Sequence, residues 1–173
     1  VYSLATVGPQ GEVFTEAGGT NRFIADRCPT DFTNASLTLR TRGELVTQGS
    51  QFVLLIQGSV EGITSGWLCT GQPFDVTDSW SEDTIVLDPN PANWTALGVR
   101  HDREDMYGIK PLDHVLSDVN VNIMLVLFPL EVAAMGPLDG DPHILRPERD
   151  YPVWQHRLPE GYVTINEVRI DFS

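Results

Sequence analysis

The chain has 173 residues, of which 41% are hydrophobic, and its net charge is −13 at pH 7. This apolar content is sufficient for a core, so a disordered chain is excluded, and the length is typical of a single domain. The cations are ten arginines and one lysine, and this acidic balance argues against nucleic acid and anionic membrane as partners, because both require a basic surface. No apolar run reaches the roughly 18–20 residues needed to span a bilayer, so membrane insertion is not expected.

Strand patterns dominate the first half of the chain. The stretch "SLTLRTRG", from Ser36, alternates apolar and polar residues with the period of a half-buried strand. The run "GSQFVLLIQGS" is apolar and bounded by glycines, which predicts a central strand with Leu54 and Leu55 pointing to opposite, covered faces. In "DTIVLD", the alternation directs Ile85 to the interior, and the segment "DPNPANW" that follows has the composition of a loop.

The second half contains the best helix pattern. In "IKPLDHVLSDV", Leu112, Val115 and Leu116 have the spacing of one helix face, which predicts a helix of two to three turns. Next comes "VNIMLVLF", a core strand, and the chain closes with the alternating stretch "GYVTINEVRIDFS". There the alternation predicts Val168, Ile170 and Phe172 on the core side, with Val163, Ile165, Glu167, Arg169 and Asp171 on the other side.

Many short strands separated by glycine, proline and asparagine turns predict an all-β fold. We expect one domain, residues 1–173, folded as an antiparallel β-sandwich of the jelly-roll kind with one short helix. A long loop is predicted at about residues 136–160, and loops of that length are usually functional or mobile. In such folds, binding sites lie on a sheet face or in the loops at one end.

Acids and bases are concentrated between His101 and Asp118. A catalytic interpretation requires an acid and a base whose environments separate their pKa values in a pocket. The spacing does not indicate this, so we interpret the stretch as a solvated turn and the polar side of the helix, with opposite charges paired. The residues concerned are His101, Asp102, Arg103, Glu104, Asp105, Asp113, His114 and Asp118.

Two cysteines and two glycosylation patterns are compatible with export without establishing it. Cys28 and Cys69 allow one disulfide, and two free thiols are an equally good interpretation. The tripeptides "NAS" at Asn34 and "NWT" at Asn93 match the acceptor pattern for N-glycosylation, which occurs often by chance.

The order of these segments resembles the laminin IV domain. The resemblance runs from Leu37 to Ile170 through "SLTLRTRGELVTQGSQFVLLIQG", "PFDVTDSW", "NWTALG", "MYGIKPLDHVLSDVNVNIMLVLF" and "GYVTINEVRI", with Gly58, Trp80, Leu116 and Val168 at family positions. It implies an exported, non-catalytic β-sandwich, similar to carbohydrate-binding modules and galactose-binding-like jelly rolls. The insertion "LDGDPHILRPERDYPVWQH" departs from the family pattern.

A structural calcium ion is one implication of this resemblance. Carbohydrate-binding jelly rolls hold such an ion with a carboxylate near the start of the last strand and acidic residues near the N-terminus, positions that Glu167 and Glu16 match. Asp139 and Asp141 in "LDGDPH" add loop carboxylates of the type that calcium prefers. Acidic loops without an ion are the alternative, and the scattered histidines contain no local zinc motif.

Aromatic residues supply the candidate ligand contacts, since their rings stack on the apolar faces of sugars. Trp80, at its family position, is expected in the core, and Trp94 is expected to anchor a loop. The long loop combines rings with planar donors that suit sugars and carboxylates. Its candidate ligand-binding residues are Arg146, Arg149, Tyr151, Trp154, Gln155 and His156; the alternative is that these rings only fix the loop to the sheet.

The sequence therefore favours a secreted or cell-surface binding module for carbohydrate or another extracellular polymer. A jelly-roll hydrolase or lyase is a second hypothesis, and a structural or protein-interaction domain is a third. The absence of a nucleophile elbow, a histidine metal motif or paired carboxylates on one strand face favours the two hypotheses without catalysis.

Overall fold

The computed structural model describes residues 2–7, 21–98, 103–129 and 159–172. Strands account for 48% of the structure and helices for 10%, which confirms the all-β sandwich. The elements are β1 (Tyr2–Ala5), α1 (Arg22–Ala25), β2 (Ser36–Val46), β3 (Gln51–Val60), β4 (Ile63–Leu68), β5 (Ser81–Val86), a 3₁₀ turn (Pro91–Asn93), β6 (Thr95–Ala96), α2 (Leu112–Leu116), β7 (Asn122–Phe128) and β8 (Glu160–Asp171).

Two antiparallel sheets enclose the main core. The larger sheet has the strand order β1-β7-β3-β4-β6, and the smaller sheet has the order β5-β2-β8. Side chains from the inner faces of both sheets interdigitate between them, as expected for a sandwich. The fully buried members of this core include Phe32, Leu37, Leu39, Leu54, Ile56, Leu87, Leu116 and Ile123.

The central strand β3 is covered on both faces, as its sequence predicts. Leu54 is 0% exposed and lies in the main core between the sheets. Leu55 is 5% exposed and lies on the opposite face, where it forms a second cluster with Val53 and Leu68. An unbroken apolar run is the pattern expected of a strand buried on both sides.

The predicted helix is present as α2, although it is one short turn and not two to three. Leu112, Val115 and Leu116 are buried in the main core, as their spacing indicates. Gly58 of β3 permits this contact, because a Cβ atom at that position would lie 2.6 Å from the carbonyl oxygen of Asp118. Neither helix in the described part of the chain is long and apolar enough to cross a membrane.

The sequence did not predict the second helix, α1. It has four residues, and the side chain of Asn21 caps it by accepting a hydrogen bond from the backbone N–H of Ile24. The helix brings Phe23 against Phe32 and Phe172, with ring centroids 5.5–6.2 Å apart in the three pairs. A helix this short depends on tertiary packing for its stability, which explains why no periodicity indicates it.

The closing strand β8 contains a bulge that corrects the predicted orientation of its first half. Val168, Ile170 and Phe172 pack against the core, as expected. The register against β2 shifts between Arg40 and Thr41, which leaves Asn166 as the extra residue. Because one extra residue reverses the alternation, Val163 and Ile165 also face the core, and the prediction that they lie with Glu167 on the other side is wrong.

Candidate functional site

The charged residues between His101 and Asp118 form ion pairs and hydrogen bonds with nearby residues, where the structure describes them. Arg103 pairs with Asp105 at 3.7 Å on an exposed turn. Asp118 accepts hydrogen bonds from the hydroxyl of Thr30 at 2.7 Å and from the amide of Asn120 at 2.8 Å. Exposed pairs of this kind contribute about 0–1 kcal/mol, and they agree with a solvated turn. His101 and Asp102 lie outside the described residues.

The candidate ligand residues of the long loop all lie outside the described residues. The same is true of three of the four carboxylates predicted to hold calcium. The residues concerned are Arg146, Arg149, Tyr151, Trp154, Gln155 and His156 for the ligand, and Glu16, Asp139 and Asp141 for the metal. These assignments stay predictions.

Glu167, the fourth predicted metal ligand, is exposed on β8 and forms an ion pair. Its Oε1 lies 3.2 Å from the guanidinium of Arg169, whose Nε also lies 3.3 Å from Asp171 Oδ2. Asp171, and after it Glu167, raise the pKa of Arg169. Among the described residues, no group of three or more His, Cys, Asp or Glu side chains is arranged to hold a metal ion.

Both cysteines are free thiols, so the disulfide alternative is not realised. Cys28 is half-buried, and Cys69 is completely buried beside β3. Burial, together with the charge of Asp88, raises the pKa of the Cys69 thiol to about 11.

The two glycosylation patterns have different surroundings. Asn34 is exposed in a turn and has a positive φ of 59°. Asn93 is half-buried, and its Nδ2 donates to both carboxylate oxygens of Asp88, at 3.2 and 3.3 Å. Trp94 is also held by this loop, because its Nε1 donates to the carbonyl oxygen of Asp88 at 2.9 Å, which confirms that its ring anchors the loop.

The smaller sheet presents a polar surface that carries an exposed aromatic ring. Cross-strand pairing places Arg40 opposite Glu82 and Glu167, and the alternation along the strands brings the same side of β5, β2 and β8 to solvent. We call this surface the outer face. Its residues are Trp80, Glu82, Thr84 and Val86; Ser36, Arg40, Arg42, Glu44 and Val46; and Glu160, Tyr162, Thr164, Asn166, Glu167, Arg169 and Asp171, whereas Thr38 on the same side of β2 is buried.

Trp80 lies on the outer face and is 36% exposed, which corrects its predicted place in the core. Thr41 pairs with Ser81 and both point inward, so Trp80, one residue earlier, points outward beside Arg42. The guanidinium carbons of Arg40 and Arg42 lie 5.3 and 4.8 Å from the ring centroid. These are cation–π distances, so the ring and the two guanidinium groups hold one another in position.

A signal in the sequence could have located this ring. In "WSEDTIVL", Ile85 and Leu87 are core residues two positions apart, and extending that period backwards puts position 80 on the solvent side. The family position predicts a buried Trp80, whereas the strand period determines the direction in which a side chain points.

A second exposed ring lies on the same face. Tyr162 is 57% exposed and pairs across the strands with Glu44, while Thr164 pairs with Arg42. From strand spacing and rise, Tyr162 lies two strands across and two residues along from Trp80, about 12 Å away. The two rings therefore flank Arg42 and Thr164 on one nearly flat surface.

Two of the described clefts are mainly apolar, whereas a third, of about 280 Å³ beside Ser50, Gln51 and Asp75, is more polar. One of the apolar clefts, of about 820 Å³, separates the sheet edges β1 and β8 and is lined by residues that include Tyr2, Phe23 and Phe172. Burial raises the pKa of Tyr2. Another, of about 630 Å³, lies near Leu45, Phe52 and Ile165. None of the three combines an exposed ring with convergent polar donors, and so the outer face is the better candidate site.

Comparison with known proteins adds no relative, since no family model, curated protein or solved structure matches the chain. The resemblance to the laminin IV domain therefore stays an expectation from the sequence.

Proposed function

We propose that this protein is a non-catalytic binding module for carbohydrate and that the outer face is its binding site. The observation that carries the proposal is the ring of Trp80, which lies exposed on a polar sheet face between two arginines. Large aromatic rings are normally buried, so an exposed ring that is held in place indicates a contact surface. Secretion or display at the cell surface belongs to the same proposal.

The polar groups around the ring suit a ligand rich in hydroxyl groups. Arg40 donates to Asn166 Oδ1 at 3.2 Å, and its Nε lies 3.8 Å from Glu82. These contacts fix the side chains before a ligand arrives, which lowers the entropy lost on binding. Planar donors beside an aromatic ring provide both hydrogen bonds and stacking for a sugar.

The carboxylates of this face support binding rather than catalysis. Glu82 lies 3.8 Å from Arg40, and Glu167 and Asp171 both pair with Arg169. A glycosidase requires two carboxyl groups facing each other across the substrate, one of them kept protonated by its environment. Carboxylates that each pair with an exposed arginine on a flat surface have a different arrangement.

A glycan array with the wild type and Trp80→Ala tests the proposal. We expect the substitution to weaken binding by about 1–3 kcal/mol, roughly 5- to 150-fold, because an aromatic anchor is lost. Ile109→Ala is the control, since Ile109 is an apolar side chain that is 55% exposed next to β4 of the larger sheet, outside the outer face.

Melting curves of the three proteins show whether the fold is kept. Equal binding by the wild type and Trp80→Ala would place the site elsewhere. An empty array for the wild type would favour a protein-interaction domain, and release of shortened glycans would favour a hydrolase or lyase.

A further inference from the structure

We infer that the ligand of the outer face carries an isolated carboxylate, as in a uronic acid, and that Arg42 binds it; this inference rests on the proposed function. Arg42 differs from the other arginines of the face in its partners. Arg40 pairs with Glu82, and Arg169 pairs with Glu167 and Asp171. No carboxylate in the described parts of the chain forms an ion pair with Arg42.

Within the described ranges, the guanidinium of Arg42 is held by the Trp80 ring, and no side chain there accepts a hydrogen bond from it. The group lies 4.8 Å from the centroid of the Trp80 ring, on an exposed residue in the middle strand of the sheet. A guanidinium held beside a ring by a cation–π contact keeps its planar fork of N–H donors, whose geometry matches two carboxylate oxygens. An exposed arginine that does not bind a ligand is more often mobile or paired with a carboxylate.

The neighbours of Arg42 limit the charge density of the ligand. Glu44 lies two residues away on the same strand and face, and Glu82 lies on the adjacent strand. The whole chain carries a net charge of −13. The negative groups of a densely charged polyanion would lie against these carboxylates as well as against the arginine and would be repelled by them. A single carboxylate among neutral hydroxyl groups binds the arginine without this repulsion.

The positions of the Trp80 and Tyr162 rings relative to Arg42 fit a sugar that carries a carboxylate. Trp80 directly precedes β5, and its ring centroid lies 4.8 Å from the guanidinium carbon of Arg42, while Tyr162 is on β8, on the opposite side of β2. A sugar ring over Trp80 places a carboxylate substituent within reach of Arg42, so one residue of the ligand contacts both. The structure therefore assigns stacking to Trp80 and charge recognition to Arg42.

The test compares acidic oligosaccharides with their methyl esters, which lose the negative charge and keep the sugar ring. The probes are short oligosaccharides of hyaluronan, in which every uronate is followed by a neutral sugar, and single galacturonic acid residues in otherwise neutral oligosaccharides, measured by calorimetry with the wild type. We expect at least one acid to bind ten or more times more tightly than its ester. Arg42→Gln should remove this difference, and Arg42→Lys, which keeps the charge without the planar fork, should retain part of it.

Arg103→Gln is the control, because Arg103 pairs with Asp105 on a turn that is hydrogen-bonded to β4 of the larger sheet, outside the outer face. It should bind as the wild type does. Equal affinity for acid and ester would overturn the carboxylate inference and leave carbohydrate binding intact. The same conclusion follows if the array shows only neutral glycans bound. Tighter binding of heparin than of every uronate, lost in Arg42→Gln, would overturn the assignment of an isolated carboxylate, and binding of no glycan would overturn the proposed function itself.

Discussion

At the scale of single residues, the fold changes the chemistry of Cys69. The side chain is 0% exposed, and its backbone N–H donates to the carbonyl oxygen of Leu54 at 2.8 Å. A thiolate in this position would lose its hydration and approach Asp88, which explains the rise in pKa from the ordinary value of 9.0 to about 11. The thiol therefore stays protonated and unreactive at neutral pH.

This shift predicts a loss of stability in alkali. The unfolded chain ionises Cys69 near pH 9, whereas the folded chain holds the proton to about pH 11. Stability is therefore complete below pH 9 and falls as the pH rises towards 11, by up to about 2–3 kcal/mol. Urea unfolding at about pH 8 and about pH 10 measures the slope, and Cys69→Ala should show a shallower one. Parallel slopes in the two proteins would show that the thiol does not carry this effect.

The residues of the candidate site were harder to predict than those of the core. Leu54, Ile85 and Val115 follow from periodicity because burial repeats along an element. Two sequence rules make opposite predictions for Trp80, since its hydrophobicity favours the core and its strand position favours solvent. Arg42 has no local signal of its own, because its lack of an ion pair with the carboxylates of the described residues depends on positions distant in sequence.

At the scale of elements, β8 shows both the strength and the limit of strand periodicity. Its inward side chains are Val163 and Ile165, then Val168, Ile170 and Phe172. The bulge causes the spacing of three residues between Ile165 and Val168, and a strict period of two does not predict this spacing. Val168, Ile170 and Phe172 lie after the bulge, and the alternation over this last part of the strand predicts their orientation correctly. The helix α2 was predicted in place but too long, because Val119 continues the apolar spacing and is buried in the main core, although it lies beyond the end of the helix.

The close packing of the start of β8 against β2 leads to a prediction about Gly161. Gly161 has a positive φ of 114°, and a Cβ atom there would lie 1.8 Å from the carbonyl oxygen of Glu44 on β2. Gly161→Ala should therefore destabilise the protein by more than the roughly 1–3 kcal/mol expected for backbone strain alone. Chemical denaturation measures the change in the free energy of unfolding.

Gly62→Ala is the control for this prediction. Gly62 also has a positive φ, 81°, but no atom lies within 4 Å of the added Cβ atom. It should show the cost of strain without a clash. Equal losses for the two variants would mean that β2 and β8 do not approach as closely as described.

At the scale of the whole molecule, composition and turn spacing were sufficient to predict a sandwich. They did not show how the strands divide into sheets of five and three, because pairing partners such as β1 and β7 are more than a hundred residues apart. That division determines which side of β2 faces water, and therefore where the outer face lies. The site follows from topology, which local sequence does not encode.

The net charge of −13 also acts on the whole molecule, because it opposes folding by self-repulsion and attracts cations. Any salt should raise the melting temperature by screening, so a calcium site must be separated from that general effect. Magnesium chloride at the same ionic strength is the comparison, since it has the same charge and a different coordination preference. If Glu167 helps to hold calcium, calcium should raise the melting temperature more than magnesium does, by mass action on the folded state.

Two variants assign the calcium effect to a position. Glu167→Gln should lose the excess stabilisation by calcium, whereas Glu82→Gln should keep it, because Glu82 is a carboxylate of the same face that also pairs with an arginine. Differential scanning calorimetry with each salt gives the shifts. An excess that survives in Glu167→Gln would place the ion elsewhere in the chain. Equal shifts with calcium and magnesium in the wild type would mean that cations act on this acidic protein by screening alone.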